Sequence, residues 1–317
     1  MTARGQRLSA GAVAAFDLSK HAKLQVTGGD RVRFLNGQLT NDVAKAGSDA
    51  AIEASILNAK GRMNAHVFLC ATPDSFLVDA DPALRESLAQ RLERYVIADD
   101  VEISDVTEAF ALFHVIATPA PEIDGVLKKV RSDRFGFDGS DLWFAIGDHD
   151  RAYHELGRAI PMWDGTRAET LRIERGIARW GCELSEEIIP VEANLEARAI
   201  DYAKGCYIGQ EVISRMKMSG QKNKRLCGLL SLSGAAIATS SRLFAMDAER
   251  KEVGWVTSAT FSLRLKKEIA LGFVKRGFNA VGTRLLAPGA EIGDVNVGVP
   301  VEVVALPFDC SLAGEAD

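Results

Sequence analysis

The sequence predicts an α+β fold followed by a small all-β domain, and three observations carry that prediction. The chain has 317 residues, more than one hydrophobic core usually serves, so two domains are expected. In its first part, the apolar runs 52–57, 65–69 and 76–78 are joined by connections too short for helical crossovers, which makes their sheet mainly antiparallel. Beyond Arg225 helical periodicity gives way to short apolar runs separated by turns, at 229–230, 253–256, 269–274, 285–286 and 299–306, the spacing of a barrel or sandwich. The polar stretch Gly220 to Arg225 reads as a linker. The expected domains are therefore 1–222, with room for two subdomains, and 223–317.

In chain order, Leu24-Gln25-Val26 alternates like a strand and ends at the Gly28-Gly29 turn. Asp30 then stands as N-cap of a short helix through Val32, Phe34 and Leu35 that stops near Gly37, and Asn41 and Asp42 are turn residues after it. The strands 52–57 and 65–69 are joined through Asn58-Ala59-Lys60-Gly61-Arg62. Asp81-Pro82 opens a helix, with Asp at the cap and Pro in the first turn, and Leu84, Leu88, Leu92 and Tyr95 or Val96 form its buried stripe. Strands follow around 101–103, 111–116 and 142–146, with Pro119, Pro121 and Gly125 breaking the chain between them. No internal repeat stands out, although two βαβ-like halves within the first domain are left open. Thr166-Arg167-Ala168-Glu169 matches a capping box for a helix ending at Gly176. Glu174 lies in its last turn, where the helix dipole disfavours a carboxylate. That misplacement reads either as a functional acid or as a solvent-exposed Glu, or one paired with Arg175 or Arg179.

The stretch richest in chemistry is Lys204-Gly205-Cys206-Tyr207-Ile208-Gly209-Gln210-Glu211. Ile208, Val212, Ile213 and Met216 recur at helical spacing, which puts Cys206 just ahead of a helix N-terminus. Unpaired amides and the dipole favour an anion there, and Lys204 and Arg215 can add positive charge, so a reactive thiolate is one reading. The other is a small buried cysteine in a tight turn, the common fate of an intracellular thiol.

Composition excludes several classes of function. A net charge of −5 speaks against nucleic acid as a direct partner, and the basic run Lys222-Asn223-Lys224-Arg225 is short enough to be a solvated loop. Cys70, Cys182, Cys206, Cys227 and Cys310 are odd in number and contain no CxxC pair, so neither a disulfide framework nor a structural zinc site is expected. His149 and His154 have poor ligand spacing for a helix, and no protein-ligated metal is expected. No apolar run approaches transmembrane length, so no membrane partner is expected. Arg4, Arg7 and Ser9 faintly suggest an organelle transit peptide, but the segment is short and a cytoplasmic location is the better expectation.

Taken whole, the Lys204–Glu211 stretch resembles the signature of the YgfZ family of folate-binding proteins, relatives of the glycine-cleavage T-protein (GcvT). The resemblance extends along nearly the entire chain. Phe34-Leu35-Asn36-Gly37-Gln38-Leu39-Thr40-Asn41-Asp42-Val43 is similar to the N-terminal block, and Asn58–Arg62 to the turn that follows it. Leu171-Arg172-Ile173-Glu174-Arg175-Gly176-Ile177 and Ile189-Pro190-Val191-Glu192-Ala193-Asn194-Leu195 are similar to the middle blocks. Val253–Ser258 and Ile269–Val274 resemble strands of the C-terminal barrel.

This resemblance implies a GcvT-like folate-binding α+β domain, with mixed or antiparallel sheets and helices, followed by a small C-terminal β-barrel. It implies tetrahydrofolate or a one-carbon derivative in a central cleft. It also implies a role in assembling or repairing iron–sulfur clusters of client enzymes, tRNA-modifying ones included, by a protein expected to be monomeric. On the same ground Cys206 is the functional thiol with Lys204 beside it, and Glu174, Tyr207, Gln210, Arg215 and Asn41 are the folate-binding candidates. Glu174 would meet the amino-amide edge of the pterin, whose parallel donors suit a carboxylate. Two departures from the T-protein branch bear on the alternative, a folate-dependent aminomethyltransferase. Where that branch has a pair of Asp residues this chain has Ala65 and His66, and that branch lacks the cysteine at Cys206. His66 is a different charge type from the missing acid. A binding protein without chemistry is the third reading.

Overall fold

The computed structural model describes residues 13–288, 291–292, 295–296 and 298–309. The basic N-terminal segment with Arg4, Arg7 and Ser9, and Cys310, lie outside them. Strands β1 (Ala14–Asp17) and β2 (Ala22–Thr27) lead to helix α1 (Arg31–Gln38), then β3 (Ile52–Leu57), β4 (Met63–Ala71) and β5 (Phe76–Ala80). Helix α2 (Arg85–Glu93) is followed by β6 (Glu102–Asp105), β7 (Phe110–Ile116), β8 (Lys128–Ser132), β9 (Gly139–Ala145) and α3 (His149–Ala159). Helix α4 (Gly165–Arg175), a short α5 (Glu196–Ala199) and α6 (Gln210–Ser219) lead to the C-terminal strands. These are β10 (Lys224–Ser231), β11 (Arg242–Ala245), β12 (Glu252–Ser262), β13 (Lys267–Lys275), β14 (Arg284–Ala287), β15 (Glu291–Ile292), β16 (Val295–Asn296) and β17 (Val299–Val304).

The N-terminal part is two sheets face to face. One has the order β3-β4-β5-β2-β6 and the other β1-β7-β9-β8. Every pair between these strands is antiparallel, so the open possibility of βαβ-like halves is not realised. Period-2 alternation sorts the side chains. On β3 and β4, Ile52, Ala54, Ile56, Ala65, Val67 and Leu69 face one core, which Leu35, Leu84, Leu88 and Leu92 of the α1 and α2 region close from outside. On the second sheet Phe113, Val115, Leu142 and Phe144 face α3, packing against Ala152 and Leu156. The inner faces meet through Cys70, Leu77, Leu112, Val130 and Trp143.

The same inner face carries a polar row. Glu53 pairs with Phe68, Phe68 with Asp79, and Asp79 with Lys23, so these four side chains stand abreast across β3, β4, β5 and β2. Lys23 is fully buried, and its ammonium donates to the carbonyls of Ser19 and His21 at 2.7 and 2.9 Å. Asp79 accepts two bonds from Arg134, at 2.7 and 3.0 Å, and the same guanidinium donates twice to Asp141 of the opposite sheet, at 2.9 Å each. His21 and His114 complete the cluster on Asp79 and Asp141, at 3.1 and 2.8 Å. Burial by itself would raise both carboxyl pKa values, but the Arg134 charge outweighs it and holds them below the usual carboxylate range.

The C-terminal strands close into a barrel in the order β10-β13-β12-β11-β14-β17, with β17 pairing back onto β10. On β13, Ala270 and Val274 fill the barrel, whereas Ile269, Leu271 and Phe273 face outward onto Ile173, Val191, Tyr207 and Ile213. Burial on both faces explains the continuous apolar run of 269–274. The cap of α4 differs from the sequence expectation. Asp164 is the N-cap, its carboxylate accepting from the Arg167 amide at 2.9 Å, so the helix begins one residue before Thr166; Gly176 ends it in the left-handed conformation, as expected. The expected helix after Asp81-Pro82 starts as a 3₁₀ turn and becomes α-helical only at Arg85. Strands β1 and β8 and helix α3 were not legible in the sequence.

Replacing Arg134 with Met strands two buried carboxylates, and the expected loss is about 3–5 kcal/mol in denaturant unfolding at neutral pH. Because the folded pKa values of Asp79 and Asp141 are depressed, their contribution is in place above about pH 4 and disappears as pH falls below it. Stability measured through that window should fall in the wild type and change less in Arg134→Met; equal slopes would count against the clamp.

Candidate functional site

Where the two sheets, α4 and the barrel converge, the inner-face polar row opens into a cavity of about 740 Å³. Phe16, Phe68, Phe135, Trp163 and Trp180 supply its aromatic surface. Phe16 stacks on Phe135 with ring centroids 4.5 Å apart, and Trp163 meets Phe16 edge-on at 5.9 Å. Arg134 lies over the Phe68 ring at 4.1 Å, so the clamp joining the sheets is also part of the cavity wall. Asp164 and the first residues of α4 form another wall, and Ala259 and Thr260 of β12 bring the barrel to it.

The charged lining is biased toward acid. Six carboxylates line the cavity (Asp17, Glu53, Asp79, Asp81, Asp164 and Glu169) against three guanidinium groups, Arg134, Arg172 and Arg179. Several are internally paired. Arg172 joins Glu169 of its own helix to buried Glu183 at 2.7 Å, and donates to Ser258 of the barrel at 2.7 Å. Asp17 receives bonds from Ser19 and His149; burial would raise its pKa, but these bonds hold it below the ordinary value. Glu53 accepts from His66 at 2.8 Å and from Arg198 at 2.7 Å. Burial alone would push the Glu53 carboxyl up, but the Arg198 charge and the His66 bond hold it at about 2.

The Lys204–Glu211 stretch lies apart from this lining and is stitched to the end of α1. The Lys204 ammonium donates to the carbonyls of Asn36 and Leu39 at 2.6 and 2.5 Å, satisfying acceptors at the end of that helix. Burial lowers its pKa to about 8 in spite of nearby Asp42 and Asp201. The Ile208 amide donates to Gly37 O at 3.2 Å and the Asp201 amide to Thr40 O at 3.0 Å. Two glycines explain the close fit on the other side. Gly61 and Gly209 both have positive φ, and a Cβ on Gly209 would stand 2.7 Å from Asn58 O and 3.2 Å from Gly61 Cα.

Cys206 is exposed and does not line the cavity. Helix α6 starts at Gln210, with Gly209 as its cap, so the thiol lies further from the helix than the periodicity implied. The dipole acts mainly within the terminal turn, which begins beyond Cys206. The two cations expected beside the thiol are engaged elsewhere: Lys204 on α1 carbonyls, and Arg215 on Glu211 one turn away at 2.7 Å. Tyr207 is buried against the barrel-facing core and burial raises its pKa, while Gln210 is half-buried at the start of α6. Asn41 donates to the carbonyls of Glu53 and Arg198 at 2.8 and 3.2 Å, holding α5 to β3 behind the cavity wall. Glu174 is buried with its carboxylate accepting from Ser262 at 2.5 Å and Arg264 at 3.0 Å, facing the barrel and not the cavity. None of the seven residues singled out in the sequence lines the cavity.

Sequence reasoning passed over Glu53, Asp79, Arg134, Trp163, Glu169 and Trp180. Glu53 and Asp79 sit in apolar strand runs, where a lone acid is the available signal. The Trp residues carry none until the fold brings them to the cleft. Among the described residues no group of three or more His, Cys, Asp or Glu side chains is arranged to hold a metal ion. No helix among them is long and apolar enough to cross a membrane.

Residues 3–141 match the GCVT N-terminal domain, and residues 224–309 match the glycine cleavage T-protein C-terminal barrel domain. An aminomethyltransferase of Rubrobacter xylanophilus is 29% identical across 92% of this chain and 82% of its own length. One from Streptomyces avermitilis is 26% identical across 92% and 85%. A chloroplastic protein of Arabidopsis thaliana carrying a provisional transferase name is 27% identical across 91% and 71%. The crystal structure of the glycine cleavage system aminomethyltransferase T from Bartonella henselae superposes with a TM-score of 0.81 over 94% of this chain and 86% of that one. Its sequence is 19% identical, so it speaks to the fold. With both domains matched and the same architecture along almost its whole length, this chain belongs to the glycine cleavage T-protein superfamily.

Proposed function

We propose that the protein binds tetrahydrofolate, or a one-carbon derivative of it, in the central cavity. We further propose that it supports assembly or repair of iron–sulfur clusters in client enzymes, tRNA-modifying ones among them, as the YgfZ-like motif implies. The observation that carries the folate reading is a cavity of about 740 Å³ walled by aromatic rings and an excess of carboxylates. That size suits a folate-sized ligand. The flat rings of the ligand match Phe16, Phe135, Trp163 and Trp180. The donor-rich amino-amide edge of a pterin is met by acceptor-only groups, and Asp17, Asp81, Asp164 and Glu169 line the space. Arg179, about half exposed, is the cation best placed to meet a carboxylate tail. Bound there, the folate would supply a carrier for a one-carbon unit.

Cys206 serves this reading as an exposed thiol presented by a segment anchored to α1. One cysteine is too few ligands for a cluster, so any cluster contact is shared with the client. Exposure and anchoring together suit a contact surface. The aminomethyltransferase alternative keeps one specific observation: Glu53, from the strand beside His66, returns a carboxylate to the cavity where the motif had lost one. Ammonia release from an aminomethyl-lipoyl carrier, dependent on tetrahydrofolate, separates the two readings.

Calorimetric titration with tetrahydrofolate should show binding to one site. Trp163→Ala should weaken it about tenfold or more by removing part of the aromatic wall. Glu174→Gln should stay within about threefold of the wild type, since its carboxylate faces the barrel. No binding by the wild type would remove the folate reading.

Limiting iodoacetamide followed by mass mapping should modify Cys206 well before Cys70 and Cys227. Those two are buried, and burial pushes their pKa values up to about 12 and about 11. Cys206→Ala should leave folate binding intact while failing to restore cluster-enzyme activity in cells lacking the protein. Full restoration would sink the role given to this thiol.

A further inference from the structure

We propose that His66 is the proton-exchanging contact of the cavity toward the bound reduced folate, with Glu53 holding its Nε2–H while Nδ1 accepts a hydrogen bond from an N–H of the ligand. The inference rests on the folate reading above and adds the protonation state in which the ligand is held.

Strand alternation sets the geometry. His66 and Phe68 point to the cavity from β4, with their rings edge-on at 5.5 Å, while Ala65 and Val67 point to the opposite core. Nε2 of His66 lies 2.8 Å from Glu53 Oε1, and the other carboxylate oxygen is taken by Arg198 Nε at 2.7 Å. Arg198 is itself steadied by Asp133 at 3.4 Å. An ionised carboxylate only accepts, so Nε2 must be the donor and, in the neutral ring, Nδ1 is left as a bare acceptor. No protein group among the described residues bonds to that nitrogen.

Ser55, the cross-strand neighbour of His66 on the same sheet face, is fully buried behind the cavity lining, and its hydroxyl has no partner among the described residues, which marks a place for an ordered water beside the imidazole. The charged and titratable groups around the ring are Glu53 and Arg198 behind it, Arg134 and Asp79 beyond Phe68, and Asp17, Asp81, Asp164, Glu169, His21, Arg172 and Arg179 on the rest of the cavity lining. A reduced pteridine brings several N–H donors, and a neutral imidazole is the acceptor they need.

The proton balance follows. In the free protein, the fraction of His66 that is imidazolium carries protons on both nitrogens and cannot accept. Binding selects the neutral form, the Nδ1 proton passes to solvent, and the nitrogen lone pair accepts the ligand N–H. Binding therefore releases whatever proton Nδ1 carries in the free protein, and is tighter where that proton is already absent.

The test is calorimetry with tetrahydrofolate at about pH 6 and about pH 8, each in two buffers of different ionisation enthalpy. The wild type should release more of a proton at the lower pH than at the higher. His66→Gln should bind with no release at either, and His21→Gln, a change in the other histidine of the cavity, should release as the wild type does. Release that persists in His66→Gln, or vanishes only in His21→Gln, overturns the proposal. Should His66→Gln fail to fold, nitrogen NMR of histidine-labelled wild-type protein in the complex decides: an unprotonated Nδ1 on His66 supports the inference and a protonated one overturns it. Binding without proton exchange removes this inference alone, whereas no binding removes the folate reading and the inference with it.

Discussion

The arrangement turns on one guanidinium. Arg134 comes from the turn between β8 and β9, reaches between two sheets, and binds Asp79 and Asp141 with two hydrogen bonds each. Buried like-charged carboxylates repel and are costly to desolvate, so neither could stay ionised there without that cation. Without it, the apolar contact of Cys70, Leu77, Leu112, Val130 and Trp143 between the sheets would have two unpaired buried carboxylates beside it. Because Arg134 also lies over Phe68, the group that holds the sheets together also shapes the wall of the space left between them.

That space is acidic as a consequence of strand alternation. Glu53, Phe68, Asp79 and Lys23 form one row because antiparallel register places directly opposed residues on the same face. Some members of the row are spent on structure: Lys23 on carbonyls of its own turn, Asp79 on Arg134. Glu53 is divided, with one oxygen toward Arg198 and one toward His66. The carboxylate that the Ala65-His66 positions lack thus reaches the cavity from the adjacent strand, in partnership with an imidazole. This changes the weight of the sequence difference, since a carboxylate absent at one position reaches the cavity from the neighbouring strand.

The cysteine motif is organised by a different set of constraints. Lys204 caps α1, Asn41 ties α5 to β3, and the facing glycines let the 58–61 turn lie against the start of α6. Tyr207 and Ile213 then carry the motif into the core shared with the barrel, together with Phe273 and Phe308. Most of the motif is thereby explained as a junction between domains, with Cys206 among its exposed members beside Gly205 and Glu211. A stretch that reads as chemistry is therefore largely architecture, and its thiol lies on a separate surface from the cavity.

By itself the sequence determined what local rules and motif content can carry: the antiparallel strands 52–57 and 76–78, the leucine stripe of α2, the end of α4 at Gly176, and the change to an all-β texture after Arg225. These depend on periodicity and on turn residues whose preferences act over a few positions. His66 was noted as the residue standing where the related branch has an acid, but its partnership with Glu53 was not visible, because a cross-strand contact is set by register. Tertiary structure decided which carboxylates share the cavity, since Asp17, Asp79, Asp164 and Glu169 come from separated segments and meet only when two sheets and α4 pack. It also decided what Glu174 and Lys204 do. A side chain's partners depend on what burial leaves unsatisfied, and for these two the nearest unmet groups were in the barrel and at the end of α1.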